Sequence, residues 1–350
     1  MRLPYRWVVL REQKTAGALS RLLGTRAVQS LLHCVDALYD LQQYLRFFTP
    51  LRARTKERRK LEALLFVHFH KIEKTLALPE PPPLFGTSYL GPLLDLLDAW
   101  ERSVGDFRAI PVRAALGALR RYRERVGQRL AQEFPELSSR LDCRLVRHPE
   151  ATGRSEDGGT QRLTAGAFQA EAAAMDFERF ALLRHSVRNF SAESVPRELI
   201  ARAVRTAQRT PSVCNRQAWR VHVYTSPEDK DVVLRTQDGN AGFGHLAASI
   251  LLVSSDTRVY VSSGERHQAY VDGGMFAMSL VYALQAQGVV SCCLNLCNYF
   301  FQDVAVHRAC RIPAWETPIM MIAIGYPAAE FQVAVSARLD TEAVLSWRTL

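Results

Sequence analysis

Apolar residues recur at three- and four-residue steps through the first 148 positions, and that rhythm breaks afterwards. Val28, Leu31, Leu32, Val35, Leu38, Leu41, Leu45 and Phe48 make one such stripe over 26–48. Leu61, Leu64, Leu65, Phe69, Ile72 and Leu76 make a second over 55–77. This period lines apolar side chains along one face of a helix. Pro79-Glu80-Pro81-Pro82-Pro83 stops the second helix, because proline has no N–H to donate and clashes with the preceding turn. Two more helices are expected over 90–104 and 111–134. Residues 1–148 therefore predict a mostly helical region, either a bundle or an arm packed on the C-terminal domain.

Residues 149–166, PEATGRSEDGGTQRLTAG, are polar and glycine-rich. They predict a linker or mobile loop. From 167 to 350 the pattern changes character. Helices are expected over 168–185, 196–208 and 268–287, with Pro196 near its helix start, where a missing N–H costs nothing. Strands are expected over 219–225, 248–254, 289–295 and 317–325. The predicted class is α+β, with helices around a mixed sheet.

The charge follows the same division. Residues 1–150 carry 26 Lys+Arg against 16 Asp+Glu, and residues 151–350 carry 19 against 19, so the whole excess of +10 lies in the helical region. No nucleic-acid-binding motif accompanies it, so a solvated helical surface is expected. Seven cysteines, an odd number without zinc spacing, predict a reducing compartment and no metal site. The N-terminus offers too short an apolar stretch for a signal peptide, and no window reaches the ~18 apolar residues of a membrane span. A cytoplasmic protein is expected.

Three segments carry polar groups in chemically suggestive patterns. In Arg184-His185-Ser186-Val187-Arg188-Asn189-Phe190, the two-residue spacing of Arg184, Ser186 and Arg188 puts all three on one side of an extended chain. Two forked guanidiniums and a hydroxyl suit a phosphate. Thr210–Trp219 concentrates small residues, amides and an aromatic in a turn; amides there can pair with a planar heterocycle. Asp272-Gly273-Gly274 opens the long apolar helix, where paired glycines suit close packing.

In this order and at these intervals, the segments resemble the nitroreductase family of FMN-dependent oxidoreductases over roughly residues 176–348. Four features carry the resemblance: R-x-S-x-R-x-F at Arg184–Phe190, P-S-x-x-N-x-Q-x-W at Pro211–Trp219, the D-G-G helix followed by G-V-V-S-C-C-L-N at Gly288–Asn295, and I-A-I-G-Y-P at Ile322–Pro327. The resemblance implies a mainly antiparallel sheet flanked by helices, binding FMN in the interface of an interlocked homodimer. It implies that Arg184, Ser186 and Arg188 surround the FMN phosphate, ribityl chain and the N1/O2 edge, with Arg188 as the cation at that edge. It places the amides of Asn215 and Gln217 at the flavin edge, the backbone of Leu294 and Asn295 near N5, and Arg338 on the phosphate. Hydride would pass from NAD(P)H to flavin N5 and then to a nitroaromatic, a quinone or a biosynthetic intermediate. The flavin does the redox work, so no acid–base triad is expected.

The chain departs from the family pattern in places. Ala218 stands where a proline is usual, and no acidic or lysine partner near the flavin is evident. Gly239–Gly244 is glycine-rich where many members place polar cofactor contacts. Cys214 beside Asn215 reads as a packing residue, with a redox role as the alternative. In the basic region, His70-Lys71-Ile72-Glu73-Lys74, the proline run and Phe85-Gly86 resemble the front extension of nitroreductase-like proteins associated with bacterial polysaccharide biosynthesis. A competing expectation is a flavin-fold binding or regulatory partner whose basic helices dock on an enzyme complex or an anionic membrane surface.

Overall fold

The structure, a computed structural model, describes residues 25–49, 55–78, 81–149, 158–160, 174–334 and 340–349. Five helices come first: α1 (Thr25–Phe47), α2 (Arg58–Leu76), α3 (Thr87–Ser103), α4 (Ile110–Glu133) and α5 (Pro135–Arg147). The first four match the sequence stripes; α5 has no counterpart among them. Helices α2 to α5 share one apolar core in which Leu65, Phe69, Leu97, Trp100, Leu116 and Tyr122 are buried. Trp100 Nε1 donates to the Asp106 carbonyl at 2.9 Å, so even the polar edge of this core is satisfied. Helix α1 stands apart, and leaves Leu31, Leu38, Leu41 and Leu45 of its stripe exposed.

Most of the predicted linker lies outside the described residues. Its short described piece packs on the bundle: Gly159 N–H donates to Glu73 Oε1 at 2.7 Å. A Cβ on Gly158 would sit 2.3 Å from the Ala114 carbonyl oxygen, and its φ of +137° also favours glycine.

The second region runs α6 (Phe177–Leu182), α7 (Arg197–Ala207), β1 (Trp219–Tyr224), α8 (Pro227–Leu234), β2 (Ser249–Asp256), α9 (Gln268–Gln285), β3 (Val290–Leu294), α10 (Phe300–Cys310), β4 (Glu316–Gly325) and α11 (Thr341–Val344). The helix expected through residue 185 is shorter than its pattern suggests. Its described part ends at Leu182, and the chain from Arg184 is extended.

The four strands are ordered β1-β2-β4-β3, and every neighbouring pair is antiparallel. Strand parity divides the two faces. Leu251, Val253, Ile322 and Ile324 pack against α7 and α9. Ile250, Leu252, Met321 and Ala323 face the other way, onto Val306 of α10 and Val233 of α8. On the α9 face, Trp219 stacks on Phe276 at 4.8 Å. The paired glycines of α9 divide in role. A Cβ on Gly273 would meet Ile319 Cγ1 at 2.7 Å, so it permits helix-on-sheet contact, whereas Gly274 faces open space.

The helical region is bound to the sheet domain through α1 and α2. Thr49 N–H donates to the Tyr260 carbonyl at 2.9 Å, and Phe300 N–H donates to Asp36 Oδ1 at 2.9 Å. Ala63 of α2 is buried with Ala218, Val259 and Tyr260.

Candidate functional site

The R-x-S-x-R segment forms a short pairing on the free edge of β3. Ser186 bridges Ser291 in parallel, and Val187 N–H donates to the Ser291 carbonyl at 3.0 Å. Extended backbone makes side chains alternate, so with Val187 buried, Arg184, Ser186 and Arg188 share the other side, as their spacing predicts. Phe190 anchors the segment against β4. A Cβ on Gly325 would approach Phe190 Cδ1 to 2.8 Å, which explains the glycine of I-A-I-G-Y-P.

Arg188 touches the Ser186 carbonyl at 3.3 Å and lies 5.6 Å from the Phe243 ring centroid. Neither Arg184 nor Arg188 has a carboxylate partner among the described residues. The charge of Arg188 reaches the buried Cys292, and that of Arg184 reaches Cys293. Cys292 is buried, whereas its neighbour Cys293 is exposed. Leu294 is buried at the end of β3, and the Asn295 carbonyl accepts from Gln237 Nε2 at 3.1 Å. An open cleft beside Arg188 is walled by Ala241, Gly242, Phe243 and Phe331. Arg338 lies outside the described residues.

Asn215 and Gln217 occupy a different place. Asn215 ends a 3-10 turn, Val213–Asn215, and Gln217 follows two residues on, just before β1. Cys214, Asn215 and Gln217 have φ of 49°, 52° and 50°, three left-handed non-glycine residues within four positions. Such a backbone is costly and persists only where its surroundings enforce it. Ser212 Oγ accepts from Gln217 N–H at 3.0 Å, and Asp272 Oδ2 accepts from Val213 N–H at 3.2 Å. Fully buried Arg216 forms a forked pair with Glu265 at 2.6 and 3.0 Å and donates to the Val259 carbonyl at 2.6 Å. Arg59 of α2 donates to Asp256 Oδ2 at 3.0 Å and to the Gln217 carbonyl at 3.4 Å. Burial pushes Asp256 up, but the hydrogen bond from Arg258 and the charges of Arg59, Arg258 and Arg220 hold it below the ordinary aspartate range.

Sequence reasoning misses Arg216, Glu265, Asp272 and Asp256 as supports of the amide turn. Arg216 lies inside the P-S-x-x-N-x-Q-x-W segment, yet its carboxylate partner is distant in sequence, so spacing gives no signal. Burial raises the Cys214 thiol, opposed by the charges of Arg216, Lys71 and Lys74. A raised thiol fits the packing role expected for it.

The sheet sets the distance between the two groups. Ser291 registers with Ile324, whereas Trp219 registers through Ser255 with Thr317. Those positions are seven residues apart along β4, about 23 Å, and β1 and β3 are opposite edges about 14 Å apart. One chain therefore does not bring Arg184, Ser186 and Arg188 into a common pocket with Asn215 and Gln217. A separate cavity of about 500 Å³ lies between α1 and the sheet domain, walled by Tyr39, Tyr44, Phe47, Tyr270 and Asp303, and none of the expected site residues among those described lines it. Burial pushes Asp303 up to about 6.

Known proteins resemble the C-terminal part of the chain. A Thermus thermophilus protein described as NADH dehydrogenase is 25% identical over 205 residues, covering 50% of this chain and 97% of its own. Among solved structures, an NAD(P)H:FMN oxidoreductase of Staphylococcus epidermidis is 21% identical over 54% of this chain and 100% of its own, with a TM-score of 0.45. An FMN-dependent nitroreductase of Clostridium difficile is 18% identical over 49% of this chain and 98% of its own, with a TM-score of 0.42. The sequence pattern of the nitroreductase family matches residues 181–238 and 230–326, which contain the arginine segment, the amide turn and all four strands.

Proposed function

We propose that the protein is an FMN-dependent oxidoreductase that moves hydride from NAD(P)H to a small-molecule acceptor as a homodimer. The observation that carries the reading is the pair of guanidiniums on the β3 edge, lined up with a serine hydroxyl and without a carboxylate among the described residues. Uncompensated arginines on one side of a strand are the donor set a dianionic phosphate requires. The residues fit FMN: Arg184 and Ser186 would hold the phosphate and ribityl chain, and Arg188, over Phe243, would set a fixed positive charge beside the ring. Arg338 is proposed as a further phosphate donor. Bound FMN would supply the two-electron chemistry. The chain supplies placement: Gln237 holds the Asn295 carbonyl at the end of β3, which fixes the backbone of Leu294 and Asn295 expected near N5.

The separation of the two groups supports the homodimer. Asn215 and Gln217 can close a flavin pocket only if that pocket belongs to a second copy. Helix α9 presents Val271, Met275 and Met278 to the surface at helical spacing, and Phe177 and Leu182 of α6 and Leu183 just after it are exposed, an apolar face suited to such a copy. All seven cysteines are free thiols and no helix among the described residues is long and apolar enough to cross a membrane, which supports the proposed cytoplasmic setting. The acceptor is proposed to be a nitroaromatic, a quinone or a biosynthetic intermediate, with bacterial polysaccharide assembly as the setting the H-K-I-E-K segment suggests. The test is to supply FMN in excess, remove free flavin, and add NADH or NADPH without oxygen. Retained yellow colour that bleaches with either nicotinamide is expected; a colourless protein overturns the reading.

A further inference from the structure

No lysine near the cofactor is evident in the sequence, yet the fold delivers two from the helical region. Along α2, Arg59, Ala63, Val67, His70 and Lys74 fall on one stripe at three- and four-residue steps, with Lys71 on its flank. The N-terminal end of that stripe is fixed on the amide turn's support: Arg59 reaches Asp256 and the Gln217 carbonyl, and Ala63 is buried against Ala218 with Val213 packed alongside. The stripe then continues past the turn itself. Lys71 and Lys74 both lie close enough to the Cys214 thiol for their charges to act on it.

The surrounding charges leave these two ammonium groups uncompensated. Glu73 is engaged with the Gly159 N–H and with His70, and Glu265 is engaged with Arg216. Asp272 is turned inward, onto Val213 N–H and Gln268 Nε2, and burial raises its pKa. Lys71 Nζ rests 4.5 Å from the Tyr89 ring centroid, which orients the charge without neutralising it. Lys74 is exposed and has no ion pair among the described residues.

We propose that Lys71 and Lys74 form a cationic rim on the acceptor side of the flavin pocket and select acceptors that carry a negative charge, a carboxylate, sulfonate or phosphate. The inference rests on the oxidoreductase reading, in which Asn215 and Gln217 stand at the flavin edge. It assigns the helical extension a share in substrate choice. A ground-state charge contact of this kind lowers KM more than it raises kcat.

The test compares 1,4-naphthoquinone with 1,4-naphthoquinone-2-sulfonate as acceptors for the flavin-loaded full chain. The kcat/KM ratio of sulfonate over neutral quinone should favour the sulfonate, and the preference should shrink as ionic strength rises. Lys74→Glu should lower that ratio about tenfold, mostly through KM, and Lys71→Gln/Lys74→Gln, which removes the same two units of positive charge, should lower it by a similar factor. Lys74→Glu alters one exposed side chain, so it keeps the test valid if the double variant folds poorly. Flavin content, read from absorbance, separates lost cofactor from lost selectivity. An unchanged ratio in a yellow, NADH-reducible Lys74→Glu protein overturns the inference alone. A wild-type chain that retains no flavin overturns the oxidoreductase reading and takes the inference with it.

Discussion

Two groups of arginines stand at opposite edges of one sheet, and they differ in what they touch. Beside β1, Arg59, Arg220 and Arg258 converge on the carboxylate of Asp256, and Arg216 grips Glu265. Beside β3, Arg184 and Arg188 have no acidic partner among the described residues. The first group is committed to holding backbone: it fixes the left-handed turn at 214–217. The second is not committed to any carboxylate among the described residues. The residue type is the same in both, so partner and burial, not identity, separate scaffold from site.

The largest expected effect tests the scaffold group. Arg216→Ala leaves Glu265 without its partner and should destabilise the fold by about 3–5 kcal/mol, read as a lower denaturation midpoint at constant slope. A loss below about 1 kcal/mol would remove the distinction between the two edges.

Next comes the β3 edge. Arg188→Ala should cost about 1.5–3 kcal/mol of FMN binding, measured by quenching of free-flavin fluorescence. Its effect on thermal stability should stay within about 0.5 kcal/mol, as for an exposed side chain. A variant that loses stability instead would place Arg188 with the scaffold.

Arg59→Gln should be milder, about 1 kcal/mol, because Asp256 keeps Arg220 and Arg258. The sharper readout is amide hydrogen exchange, which should quicken at 213–217 while α3 and α4 stay protected.

The smallest effect is confined to acid. Asp256 has a depressed folded-state pKa, so its stabilisation is present above the unfolded value of about 3.9 and is lost as pH falls through the folded value. The stability gap between wild type and Asp256→Asn should therefore narrow below pH ~4 and be flat near neutrality. A gap that is constant down to pH ~2 would show that the carboxylate's charge contributes nothing.

Much of the fold is readable because local chemistry and tertiary packing agree. The stripes of α2, α3 and α4 and the four strands all bury the faces their periodicity marks. The R-x-S-x-R spacing is readable for the same reason, since extended backbone converts a two-residue step into a shared side. Three things are not readable. Helix α5 is short and charged, and its burial depends on α4. The helix before Arg184 is cut short because that segment pairs with β3, a contact more than a hundred residues away in sequence. The lysines beside Cys214 reach it only through the docking of α2 on the amide turn, and no local pattern encodes that docking.

The long diagonal between the amide turn and the arginine segment has a genetic consequence. If each pocket draws one half from each of two copies, a lesion in either half can be covered by a neighbour whose other half is damaged. Two chains, one lacking Arg188 and one lacking Asn215, would each be inactive alone. Mixed and re-paired at random, they would regenerate roughly one working site in four.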